Sequence, residues 1–528
     1  MRLLYNAYLH TQDPVHPTAS AIVIDRERIA AVGETDHLLS QYPDAEKQDM
    51  ERRVILSGLT DAHLHLKNYA LSLQKVDCET DTKEECLRRV EERARNARPG
   101  EWVLGHGWNQ NIWGVWPTAA DLDAIAPNNP VYLTAKSLHA SWANTAALRL
   151  ANITVHSPDP QNGKIQRDEE GNATGILLET AMEIVGGAIP EPSISEIADA
   201  MDKAQSILWR MGLTGVHDFD RRDSFMALQQ LHAQGRLKLR VLKNIPVELL
   251  DQAYDLGLRA GFGDDWLRIG SVKVFMDGAL GPHTAAMFQP YIGEDDNRGI
   301  LNMDGEELFE YGRKAAQVGL GLTVHAIGDR ANHEVLNAYE QLRAYEQEND
   351  LPALRHRIEH VQVIHPDDVA RLGKMNIIAS MQPIHATSDM LMADAFWGER
   401  SRLAYAMKTQ LLHGARLALG SDAPVESPNP FLGLYAAVTR RRADGSPSRE
   451  GWYPEQKLTM AEGWEGFTLG PAYAANMENR LGRLAPGYLA DLIVLDSSQD
   501  PFTCPPEELL TMQSSATMVG GDWVYTSD

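Results

Sequence analysis

From residue 54 onward the chain gathers apolar and β-branched residues into short runs, separated by longer stretches in which apolar positions recur at helical spacing. The runs are VILSGL (54–59), TGVHDF (214–219), RVLKNI (240–245), GSVKVF (270–275), GLTVHA (321–326), HRIEH (356–360), NIIASM (376–381) and ARLALG (415–420). A short run that stays apolar on both faces reads as a strand buried from both sides. DGEELFEYGRKAAQVG and HPDDVARLGKM, between later runs, read as helices. Strands alternating with helices predict an α/β fold with a parallel (β/α)8 barrel, the TIM-like architecture.

The two ends carry a different pattern. SAIVIDRERIAAVG near the start, and APGYLADLIVLD and SATMVGGDWVYTSD near the end, are short β-prone pieces broken by polar turns, Pro and Gly. Neither end has enough apolar residues for a core of its own. Residues 1–57 and 485–528 are therefore expected to build one small β domain together, beside a barrel over 58–484. The first and second runs lie too far apart for one helical crossover, so 70–205 is expected to be an insertion covering the barrel mouth. It holds KEECLRRVEERARNA, a helical stretch, and GHGWNQNIWGVWP, which carries Trp108, Trp113 and Trp116. Aromatic runs usually pack a core. Trp108 and Trp113 are nevertheless taken as candidate substrate contacts, as is Trp116.

The composition narrows the partners. A chain of 528 residues with 43% hydrophobic and 23% charged residues is ordinarily globular. A net charge of −24 opposes general affinity for nucleic acid or anionic membrane. Three cysteines, Cys78, Cys86 and Cys504, make no disulfide framework and suit a reducing compartment. The N-terminus turns polar after four residues and no run of eighteen apolar residues occurs, so a soluble cytoplasmic protein is expected.

The chemistry collects at the ends of the runs. In Asp61-Ala62-His63-Leu64-His65, an extended backbone turns His63 and His65 to one side, half of a metal site. Such a pair alone is weak evidence. His325, His360 and Asp422 follow three later runs, where barrel enzymes place their chemistry. Lys273 lies inside an apolar run, where a charged amine is costly. One reading is a salt-bridged or snorkelling Lys; the functional reading is that desolvation lowers its pKa, so that the neutral amine can add carbon dioxide and give a carbamate able to bridge two cations.

DAHLH, SVKVFMDGALG, TVHAIGD, RIEHVQ, ASMQP, LGSDAPVESPNP and GRLAPGYLADLIVLD, with GHGWNQ, WPTAADLD and HASWANTAAL in the insertion, resemble the amidohydrolase superfamily. The resemblance is to its YtcJ-like branch, which includes N-substituted formamide deformylases, and it covers nearly the whole chain. It implies a metal-dependent barrel hydrolase with a β-sandwich made from both termini. It implies one metal on His63, His65 and Asp422, a second on His325 and His360, and Lys273 bridging them as N6-carboxylysine. Where members of the branch often have DGH this chain has Ser137-Leu138-His139, so only His139 matches, as a candidate substrate contact.

Two divalent cations, zinc first and manganese, iron or nickel still open, would activate water and polarise a carbonyl. Asp422 is the candidate general base. Asp277 and Asp329 are expected to orient ligands or substrate, and His217, Gln382 and His385 to line the pocket. The expected reaction is hydrolysis of a non-peptide amide, N-formyl or N-acyl bond in a small molecule. Ester, carbamate or cyclic-amide hydrolysis, deamination, and a non-catalytic regulatory protein with the same fold are the alternatives. A homodimer is possible on size alone.

Overall fold

The computed structural model describes residues 1–527. Eight strands form one all-parallel sheet: β1 (Leu59–Leu64), β2 (Leu213–Asp218), β3 (Arg240–Pro246), β4 (Leu267–Phe275), β5 (Leu322–Ala326), β6 (Arg357–His360), β7 (Ile378–Met381) and β8 (Arg416–Leu419). Each pairs with the next in chain order. Past the end of β8 the loop returns to β1. The Asp422 N–H donates to the His63 carbonyl (2.7 Å) and the His65 N–H donates to the Ala423 carbonyl (2.9 Å). The sheet is thus a nearly closed barrel.

The first strand departs from the sequence reading. Val54–Ser57 is not a barrel strand but pairs with Leu492–Leu495 and Tyr8–His10 in another sheet. The chain breaks at Gly58, where an added Cβ would lie 2.3 Å from the Thr214 side chain. The barrel strand starts at Leu59 and contains Asp61 to Leu64, with His65 just beyond its end. HPDDVARLGKM also differs: it folds as a 3-10 turn (Pro366–Asp368) and a single turn of helix (Arg371–Lys374). DGEELFEYGRKAAQ forms the helix Gly305–Gln317, its N-terminus capped by the Asp304 carboxylate accepting from the Glu307 N–H.

Strands from both ends of the chain share a six-stranded sheet, Asp522–Thr526, Ala516–Val519, Leu492–Leu495, Val54–Ser57, Tyr8–His10 and Thr18–Ala19. A four-stranded sheet from Arg2–Tyr5, Ala21–Asp25, Arg28–Gly33 and Glu46–Asp49 accompanies it. One apolar cluster joins their inner faces, including Leu4, Ile22 and Ile24 from one sheet and Leu9, Ile55, Leu492 and Met518 from the other. Two sheets packed over one shared cluster make a sandwich.

The chain divides into two compact units, 1–69 with 201–528, and 70–200. The second has its own six-stranded sheet, from Val76–Asp77, Val103–Trp108, Val131–Ala135, Ala140–Ala143, Ala173–Glu179 and Gly163–Arg167. The helix Lys83–Arg95 packs Cys86 and Val90 into a core with Trp108, Leu133 and Trp142. Among the described residues no helix is long and apolar enough to cross a membrane.

Candidate metal centre

The end of β1 carries the first pair. Its pairing with β2 is irregular between Asp61 and Leu64, so strict alternation does not set the side-chain directions there. The two imidazoles still converge: Nε2 of His63 and Nε2 of His65 lie 3.5 and 3.3 Å from the same oxygen, Oδ1 of Asp422. His360 joins from β6. Ligand atoms of His63, His360 and Asp422 all lie within 4.8 Å of one another. The His325 ring centroid is 4.6 Å from that of His360.

Two of these residues have backbones that L-residues rarely adopt, with φ of 77° at His360 and 62° at Asp422. Such a conformation outside glycine costs on the order of 1–3 kcal/mol and gathers at functional sites. At His360 the left-handed turn lets a side chain join the site although β6 runs on regular alternation through Arg357 and Glu359.

A partner on the other ring nitrogen orients each imidazole. His63 Nδ1 donates to Glu359 (2.6 Å), His65 Nδ1 is 3.3 Å from Asp220, and His360 Nδ1 donates to Gln382 Oε1 (2.8 Å). His325 is held the other way round, Nε2 donating to the Gly278 carbonyl (3.0 Å). His63, His325 and His360 therefore each keep one nitrogen lone pair for another group, which is the donor chemistry of metal-ligating histidine. Burial keeps three rings neutral, with His63 lowered to about 4, His325 to about 3 and His360 well below the ordinary value. His65 behaves differently: burial opposes its charge, but Asp220 and Asp422 outweigh it and hold it at about 9. Asp422 stays well below the usual carboxylate range, against burial, because the neighbouring imidazoles favour its anion.

Lys273 on β4 is buried, its Nζ 4.8 Å from the Phe219 ring and 4.7 Å from that of Phe275. Burial, opposed by Glu359 and Asp422, lowers it to about 8. Phe219 also stacks on His63 with centroids 3.9 Å apart. The six residues singled out in the sequence thus lie at the C-terminal ends of their strands, and their donor chemistry suits a divalent cation.

Several sequence candidates take other roles. Asp277 accepts the N–H groups of Ala286, Ile327 and Gly328, and is 3.7 Å from His325 Nε2. It pins the loops after β4 and β5; burial raises it to about 7. Asp329 accepts from the Phe288 N–H at the start of a helix, again fastening a loop. His217 is buried, with Nδ1 accepting from Arg357 (2.8 Å), and borders a cavity together with Thr60, Gly215 and Leu242. Trp108 is fully buried in the core of 70–200 beside Trp142, where it packs. Trp113 donates to the Thr80 carbonyl, and His139 is exposed beside Glu179. Gln382 and His385 are buried next to His360.

The sequence reading missed Glu359, Asp220, Phe219 and Arg357. Glu359 accepts from His63, Arg357 and Thr323. Burial works against its charge, yet Arg357, then His63 and Lys273, keep it well below the usual range. A signal was present: Arg357 and Glu359 are opposite charges two apart in a strand otherwise buried, hence on one face. Asp61 was quoted without a role. It accepts from the N–H groups of His63 and Ser421 and the Ser421 hydroxyl, tying β1 to the loop after β8.

A parallel barrel with this His, Lys and Asp set defines a metal-dependent hydrolase. Residues 47–525 match the model of the amidohydrolase family, and the chain belongs to that family. Residues 21–45 also match an imidazolonepropionase-like composite domain of bacteria. The chain is 31% identical to the putative amidohydrolase YtcJ of Bacillus subtilis (strain 168), over 99% of this chain and 98% of that protein. It is 30% identical to the N-substituted formamide deformylase of Arthrobacter pascens, over 98% and 97%. A solved structure, an uncharacterized metal-dependent hydrolase from Pyrococcus furiosus, superposes with a TM-score of 0.78 at 30% identity, covering 95% of this chain and 100% of that one.

Proposed function

We propose that the chain hydrolyses a carbon–nitrogen bond at a carbonyl, in a small N-formyl or N-acyl amine. The observation that carries this reading is the convergence of two imidazole Nε2 atoms on one oxygen of Asp422. A buried carboxylate among imidazole nitrogens suits a divalent cation, and the formamide deformylase relative adds a substrate precedent. His63, His65 and Asp422 would hold one divalent cation, most simply zinc. His325 and His360 would hold a second, with Lys273 as its carbamate between them. When bound, the cations supply Lewis acidity toward a carbonyl oxygen and lower the pKa of water.

The chain's own residues do the rest. Lys273, lowered to about 8, has an appreciable neutral fraction near neutral pH, as addition of carbon dioxide to the amine requires. Asp422, ionised, takes a proton from the attacking water as its oxygen bonds to the carbonyl carbon. Asp422 then returns that proton to the nitrogen as the C–N bond breaks, and the products are an acid and an amine. Glu359 and Gln382 fix the tautomers of His63 and His360. The proposal extends to a cytoplasmic setting with a small-molecule amide as the partner.

The test is metal content per chain together with turnover of a panel of N-formyl and N-acyl amines, esters and cyclic amides. Release of amine plus acid supports the proposal, and release of ammonia or of alcohol alone overturns it. Lys273→Ala is expected to lose both metal and activity, with partial rescue by short carboxylic acids; full activity in that variant removes the carbamate.

A further inference from the structure

Beside His360 three buried side chains carry polar atoms with no hydrogen-bond partner among the described residues: Nε2 of Gln382, Nε2 of His385 and Oε1 of Gln362. The three residues are 2%, 6% and 4% exposed, so bulk water does not satisfy them. An orphaned buried polar group is costly, and native structures keep few of them without a purpose. Each of the three adjoins His360 or His385. Gln382 Oε1 is taken by His360, which leaves its amide nitrogen as a free donor. The His385 ring lies parallel to that of His360, with centroids 6.2 Å apart. Gln362 Nε2 sits 3.5 Å from His385 Nδ1, so Nδ1 is the acceptor and Nε2 carries the hydrogen. Gln382 is the N-cap of the helix Pro383–Trp397 and His385 lies in its first turn.

We infer that Gln382 and His385 form a two-donor subsite for the acyl oxygen of the substrate, with Gln362 fixing the His385 tautomer. The inference rests on the amide reading above and deepens it. It gives the acyl oxygen hydrogen bonds from side chains that hold no cation, aimed where negative charge develops as water adds to the carbonyl. Gln362 acts through His385 and is a positioning residue.

The experiment compares wild type with His385→Phe, His385→Gln and Gln362→Met, each loaded with zinc. It measures kcat and KM on an N-formyl arylamine, metal per chain, and formate binding by calorimetry. Loss of a preorganised donor of this kind costs roughly 100- to 1,000-fold in kcat. His385→Phe is expected to lose about that in kcat, with KM and metal content little changed and formate binding weakened. His385→Gln, which restores an N–H, is expected to recover part of the loss, and Gln362→Met to lose less kcat than His385→Phe, since the donor is displaced and not removed. Wild-type kcat and formate affinity in His385→Phe would overturn the inference, as would loss of activity that only follows loss of metal. Should His385→Phe not fold, wild-type kcat and formate binding in Gln362→Met and His385→Gln would overturn it equally. If the wild type cleaves no amide yet binds formate through His385, the subsite stands and the amide reading falls. Formate binding indifferent to all three variants means ordered water only, and ends the inference.

Discussion

Glu359 is the buried charge on which His63 depends. It receives the His63 Nδ1–H and sits against Arg357, which reaches His217, the Ala62 carbonyl and the Ser380 hydroxyl from the same guanidinium. The carboxylate raises the basicity of the opposite ring nitrogen and fixes the ring, so its effect is on cation affinity. Glu359→Gln keeps the shape and an acceptor but removes the charge. Zinc affinity, read by chelator competition, is expected to fall about 10- to 100-fold, the range for partners of metal-ligating histidine. Unchanged affinity would mean that the pair serves packing alone.

At the scale of the strands, the site depends on how closely β8 returns to β1. An added Cβ on Gly420 would lie 2.5 Å from both Asp61 Oδ1 and the His63 N. The contact is to backbone and to a bonded carboxylate, neither of which yields cheaply. Gly420→Ala is expected to cost about 1–3 kcal/mol, as overpacking does, and to displace the His63 backbone. A lowered melting temperature with reduced metal content checks this; loss of stability with full metal content would uncouple closure from the site. On the far side of the barrel, His356 accepts the Leu322 N–H (3.0 Å) and donates to Glu346 (2.9 Å) between β5 and β6. Burial, partly offset by Glu346, lowers its pKa from the ordinary 6.5. Below that value the unfolded chain binds a proton that the folded chain refuses, so this contribution to stability is present above about pH 6.5 and fades as pH falls. Glu346, itself lowered, adds a loss of the same sign only below its ordinary 4.5. Denaturant midpoints between pH 7 and 5 should fall in the wild type and fall less steeply in His356→Gln, the difference being at most about 1.4 kcal/mol per pH unit. Equal slopes would show that His356 is not the titrating group.

For the whole molecule, the link between barrel and terminal sandwich includes one buried ion pair. Arg240 at the start of β3 donates to both oxygens of Asp491, which also accepts the Gly520 N–H from the C-terminal hairpin. Asp491 offsets the burial of Arg240 and raises its pKa. Removing one partner of such a pair costs roughly 3–5 kcal/mol, because the other charge stays buried and alone. Asp491→Ala is therefore expected to destabilise strongly, and Arg240→Met with Asp491→Leu far less. Denaturation of both variants measures the difference; equal costs would show the pair to be screened by water. The sandwich is also continuous with the barrel, since Val54–Ser57 runs directly into β1 through Gly58.

The barrel strands were legible because burial on both faces leaves an apolar run whatever its neighbours are, and His63, His65, His325, His360 and Asp422 were legible because they end such runs. The start of β1 was not. Val54–Ser57 and Leu59–Leu64 are both apolar, and only a change of pairing partner at Gly58 separates them. Glu359 and Asp220 escaped for a related reason: a carboxylate's role depends on which ring it meets across the fold, and local sequence does not contain that distance. The sequence by itself determined an alternating α/β chain with metal-capable side chains at its strand ends, because periodicity and residue type are local properties. Tertiary structure alone decided which nitrogen of each imidazole stays free, and that Gln382, His385 and Gln362 keep polar atoms unpaired beside them. Hydrogen bonds are made between surfaces that meet only when the sheet closes.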